Sequence, residues 1–121
     1  MARKKQLKVE DTIINVKVIA EEDYISLTDM VGERGRAGAV IQNWLRNRNT
    51  LEFLGVWEKL YNDQFKVLEF EYFFSQSGLN RFTLSVKEWT EKTDAVGLIS
   101  KAGRGGETFA HRAILKVLMR S

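Results

Sequence analysis

The chain's 121 residues carry 19 Lys and Arg against 16 Asp and Glu, a net charge of +3 with the single His neutral, and they are 44% hydrophobic and 29% charged. That balance is that of a folded globular chain, and the length suits one domain over residues 1–121 that can bury a core unaided. With no Cys and one His, disulfides, thiolate zinc sites and Cys nucleophiles are excluded, and little remains for a transition-metal site or a bound cofactor.

In chain order, Met1 to Lys8 is basic without the apolar stretch of a signal peptide, and no apolar run approaches the ~20 residues of a membrane span. A cytoplasmic protein is therefore expected, with no membrane partner. Gln6–Glu10 and Thr12–Ala20 are rich in Val and Ile and predict a β-hairpin, followed by a short strand over Asp23–Ser26. Ser26 with Asp29 three residues on is a helix-start signal, because hydroxyl and carboxylate oxygens can accept from otherwise orphan N–H groups. That helix runs from Leu27 to about Gly32. A second helix is predicted from Ala37 to Asn47, with Val40, Ile41, Trp44 and Leu45 on one side and Gln42, Asn43, Arg46 and Asn47 on the other.

Continuing that helix would turn Arg48 toward the apolar stripe, so a break is expected near Arg48 and Asn49, with Thr50 capping a third helix over Leu51–Tyr61. Its apolar face is wide: Leu51, Phe53, Leu54, Val56, Trp57, Leu60 and Tyr61 all read as core. Val67–Phe74 fits a strand by alternation or a helix by spacing, and helix is preferred. Ser85 and Glu88 form a capping box that opens a helix through about Asp94. Val96–Lys101 and Glu107–Ala110 read as strands joined at Gly103, Gly105 and Gly106, and His111–Arg120 as a closing helix. No linker, repeat or low-complexity tract interrupts the chain.

Charge is unevenly spread: +2 over residues 1–50, −3 over 51–100 and +4 over 101–121. Two basic islands coincide with structural features. A short helix, a Gly-bearing turn and an amphipathic second helix resemble a helix-turn-helix, and Gln42, Asn43 and Arg46 supply the amide and guanidinium groups that can bond base edges in a major groove. Arg34 and Arg36, in the turn entering that helix, suit phosphates. The same spacing also fits the solvated side of an ordinary helical hairpin. Lys101 and Arg104 flank the Gly-rich tip as a DNA-backbone wing would require, or as an ordinary charged turn would.

Catalytic readings find less support. His111 has no nucleophile or acid at a telling spacing, and fits a structural or helix-capping role. Glu69 and Glu71 would share a side only on a strand, where they could hold a hydrolytic metal; two exposed carboxylates are the simpler reading. Trp44, Trp57 and Trp89 sit in helical apolar patterns and read as core rather than base-stacking platforms.

Residues 23–30, 41–50 and 52–55, with Glu88 and Trp89 through Ser100 and Lys101 and then Gly103–His111, resemble the KilA-N domain in order and spacing over about residues 5–111. That family occurs in bacteriophages, bacteria and large DNA viruses and is related to the fungal APSES domain. The resemblance implies an α+β fold of winged-helix type: a small antiparallel sheet with a helix-turn-helix and a β-hairpin wing. It implies binding of double-stranded DNA in phage-type regulation and no catalysis, with 37–47 as recognition helix and 98–110 as wing. The implied contacts are Arg34, Arg36, Gln42, Asn43, Arg46, Lys101 and Arg104. Two features depart from the family pattern. Glu107 puts an acid beside the wing tip, and the helix after His111 is brief. The second opens an alternative, an antirepressor-like interaction module or homodimer that uses this helix and has little DNA affinity of its own.

Overall fold

The computed structural model describes residues 3–9, 11–32, 34–101 and 106–118. Its architecture is α+β: one five-stranded antiparallel sheet in the order β1-β2-β3-β5-β4, with six helices among the described residues. Strands β1 (Arg3–Val9) and β2 (Thr12–Ile19) form the expected hairpin, with Lys4 opposite Lys17 and Gln6 opposite Asn15. Alternation along β2 buries Ile14, Val16 and Val18, the period-2 pattern of a half-covered sheet. A two-residue turn leads to β3 (Glu22–Ser26). Ala20 and Glu21 both take positive φ, 51° and 66°, a left-handed conformation that glycine adopts more cheaply.

The chain then leaves the sheet for α1 (Leu27–Val31), α2 (Arg34–Arg46), α3 (Arg48–Tyr61), α4 (Val67–Gln76) and α5 (Val86–Thr93). It returns through β4 (Leu98–Lys101) and β5 (Glu107–His111) and closes on α6 (Arg112–Leu118). Because β5 pairs with β3 (Tyr24 opposite His111, Ser26 opposite Phe109), the first and last hairpins share one sheet.

The junction at the end of β3 explains why Ser26, Thr28 and Asp29 stand where they do. Where β3 stops, the next N–H groups of its two neighbours lose their strand partner, and unsatisfied buried amides are costly. Asp29 Oδ2 accepts from the Asn15 amide of β2 at 2.9 Å, and Thr28 Oγ1 accepts from the Thr108 amide of β5 at 3.0 Å. Ser26 Oγ accepts from the Asp29 amide at 3.0 Å, capping α1, and donates to Glu107 Oε2 at 2.9 Å. One turn of sequence thus fixes α1 between the two hairpins. Thr28 is 4% exposed, so Thr28→Val, which keeps the volume and removes the acceptor, is expected to cost about 1–3 kcal/mol, read as a lower urea midpoint at unchanged m.

The core lies between the sheet and the helices. Trp89 is fully buried against Phe65, Phe70 and Phe73, with ring centroids 5.9, 6.1 and 6.3 Å away. Leu27, Ile41, Leu45, Leu51, Leu54 and Leu98 join the same cluster. Ile114, Leu115 and Leu118 of α6 are buried in it too, so the terminal helix spends its apolar side on the chain itself. Trp44 and Trp57 pack partly buried against this core.

Three expectations are corrected and one open choice is settled. The break between α2 and α3 falls at Asn47, whose side chain caps α3 by accepting from the Asn49 and Thr50 amides at 2.8 and 3.4 Å, whereas Thr50 is buried within the helix. Val56, Leu60 and Tyr61 are 51%, 70% and 69% exposed rather than core. On a helix they lie opposite or beside the 51-54-58 stripe that faces inward. Residues 67–76 are helical, as preferred from the spacing, which turns Glu69 and Glu71 to different sides. His111 ends β5 and does not begin the last helix.

Candidate nucleic-acid interface

Helix α2 is amphipathic for a plain reason: Ala37, Ile41 and Leu45, spaced four apart, are 2%, 4% and 1% exposed, while Gln42 and Asn43 face solvent. α1 ends at Gly32 in a left-handed conformation (φ 84°), where glycine avoids the cost a side chain would bring. α2 begins two residues later and packs against α1, which in turn packs against β5 and β2. Helix α1 is therefore the spacer that sets α2 relative to the terminal hairpin.

The predicted site residues divide. Asn43 and Arg46 meet Asn47 and the Gly78–Asn80 loop around a shallow polar depression of about 220 Å³, where Arg46 Nη2 donates to the Asn80 carbonyl at 3.2 Å. A guanidinium has five donors, so this bond leaves others for a ligand. Gln42 is exposed beside this depression but does not line it. Arg34 and Arg36 were expected in a turn before the helix, yet both belong to its first turn. The helix starts earlier than Ala37 because neither Gly35 nor Gly38 stops it. Arg36 is exposed, and Arg34 is described by its backbone alone. Lys101 ends β4, exposed and opposite Glu107, and lines a cleft with Lys4 and Lys17 of the first hairpin rather than the depression beside α2. Arg104 lies outside the described residues, as do Gly103 and Gly105 of the turn.

Glu107, which sequence alone sets against phosphate, has work within the fold: it accepts from Ser26 Oγ and from Asn15 Nδ2 at 3.5 Å. His111 acts as a cap and a packing residue. Its Nδ1 accepts from the Ala113 amide at 3.1 Å at the start of α6, Nε2 lies 3.5 Å from Glu22 Oε1, and the ring meets Tyr24 edge-on. Burial, and then the Glu58 and Glu22 carboxylates, raise the pKa of the Tyr24 phenol above its usual 10.0, so it stays neutral.

The residue that sequence reasoning missed is Glu58. It is 1% exposed. Its Oε2 accepts from the Gly97 amide at 2.7 Å, both oxygens accept from the Val96 amide at 3.0 and 3.1 Å, and Oε1 accepts from Asn62 Nδ2 at 2.8 Å. The Gly97 carbonyl in turn accepts from the His111 amide at 2.8 Å. A Cβ at Gly97 would run into Ile114 and the Glu58 carboxylate, so the close approach needs glycine. Glu58 therefore anchors the segment entering β4. The signal was present: Leu51, Leu54 and Glu58 share one helical stripe, and an acid at a core position demands donors.

Among the described residues no group of three or more His, Asp or Glu is placed to hold a metal, and no helix is long and apolar enough to cross a membrane. The family model described as the KilA-N domain matches residues 8–120. The chain belongs to the KilA-N family. No curated protein and no solved structure matches it significantly. KilA-N domains are of DNA-binding type, and that role extends, at this coarse level, to this chain. The KilA-N match runs on past His111 through α6, so the brief last helix falls inside it. The segments that carry the KilA-N resemblance are largely scaffold here. Ser26, Thr28 and Asp29 hold the sheet junction, Asn47 caps α3, and Gly55 admits the Phe70 ring where a Cβ would collide with it.

Proposed function

We propose that this KilA-N domain binds double-stranded DNA as a regulatory protein of phage or prophage type, without catalysis. Helix α2 enters the major groove and the β4–β5 hairpin follows the backbone as a wing. Gln42, Asn43 and Arg46 are the base-reading candidates, while Arg34, Arg36, Lys101 and Arg104 contact phosphate. The observation that carries this reading is the outward amide and guanidinium stripe of α2 on a helix whose other side is sealed into the core.

The test is Arg46→Ala against a duplex selected from a random pool. A loss of about 1–3 kcal/mol confined to the selected sequence, with relaxed preference at one base pair, is expected for a base-reading arginine. Equal losses on every sequence would move Arg46 to the backbone contacts. Binding unchanged by the substitution would remove α2 from the interface.

A further inference from the structure

Because β3 stops at Ser26, the two hairpins of the sheet part beyond it and leave a cleft of about 440 Å³ between them. One wall comes from β1 and β2, where Lys4 opposite Lys17 and Gln6 opposite Asn15 are register pairs, so all four side chains stand on one side of the hairpin. The other wall carries Lys101. The floor is Phe109, only 2% exposed, with the Lys17 ammonium 4.7 Å from the centre of its ring. That stacking holds one cation in the cleft. Lys5, on the other side of the sheet, is instead paired with Asp23 at 3.2 Å. Lys4, Lys17 and Lys101 make no ion pair among the described residues. The Glu107 carboxylate also lines the cleft, where it is engaged by Ser26 and Asn15.

We propose that this cleft is a second phosphate-backbone contact, through which the first hairpin grips the same duplex as α2. The inference rests on the DNA-binding reading above and names a surface that reading does not include. The cleft offers cationic and amide donors but no open apolar pocket, since Phe109 is covered. A phosphodiester backbone wants those donors, whereas a bound peptide would need side-chain anchors. Lys101 belongs to both surfaces, so a strand lying along the wing passes directly into the cleft.

The test compares wild type with Lys4→Gln/Lys17→Met by fluorescence anisotropy on random-sequence duplexes from 50 to 200 mM salt. Methionine keeps an aliphatic stem over Phe109. Losing two phosphate contacts should flatten the log–log salt slope by about 2, so the fall in affinity across that range becomes about tenfold smaller, equally for all sequences. Lys4→Gln alone, at an exposed edge-strand position, should flatten it by about 1, which keeps the inference testable if the double variant folds poorly. Wild-type slopes in both variants, while Arg46→Ala still weakens binding, would overturn the cleft and leave the α2 reading standing. A wild-type protein that binds no duplex at 50 mM salt would overturn both.

Discussion

Replacing Glu58 by Ala is expected to lower stability by about 3–5 kcal/mol. The substitution leaves the Val96 and Gly97 amides without their acceptor and opens a cavity beneath them. The loss is therefore larger than that of an ordinary surface ion pair. Glu58→Gln keeps one accepting oxygen but turns a donor toward the other amide, so an intermediate loss follows. The effect should reach function as well, because Val96 and Gly97 lead straight into β4 and the wing. A urea titration of the three proteins checks this. An Ala variant within 1 kcal/mol of wild type would mean that the Glu58 bonds hold little of the fold together.

DNA affinity should collapse with salt far more steeply than a net charge of +3 suggests. The charges proposed to make contact are local: Arg36 and Arg46 on α2, and Lys101 with Lys4 and Lys17 at the hairpins. If about 4–6 phosphates are neutralised, the log–log slope lies near −4 to −5, and affinity falls roughly 300- to 1,000-fold between 50 and 200 mM salt. The acidic middle of the chain, −3 over residues 51–100, lies mostly on α3 to α5. A slope near zero would mean that DNA binding, if seen, does not use the basic side chains at all.

Much of this fold was legible in the sequence because its decisions are local. The Ser26 and Ser85 caps follow from a hydroxyl reaching the amide three residues on, a bond that the Glu88 amide makes to Ser85 Oγ at 3.1 Å. The β1–β2 hairpin follows from alternation, and α2 from four-residue spacing. The cap of α3 was misplaced at Thr50 because Asn47 fits the polar side of α2; Asn47 takes the cap because one amide oxygen serves two N–H groups.

Tertiary choices were hidden for a different reason. Val56, Leu60, Leu68 and Tyr72 are apolar yet exposed, since hydrophobicity says that a residue could be buried and only packing says which side is. Arg48, read only as the point where α2 must break, lies over the Phe74 ring at 4.0 Å and donates to the Phe74 carbonyl at 3.1 Å, a partner that spacing along the chain does not reveal. The candidate site was legible on α2, where one helix carries it. The association of Lys101 with Lys4 and Lys17 was not, because it depends on β5 crossing back to pair with β3.

Whether α2 and the β4–β5 hairpin hold one duplex together is tested most directly by an amide-shift titration of the labelled protein with a short duplex at low salt. Concerted changes are expected at Gln42, Asn43 and Arg46 and at Lys101 and Thr108, with Leu60, Leu68 and Tyr72 unmoved. Changes confined to α3 and α4, or hairpin changes with α2 silent, would contradict that joint hold.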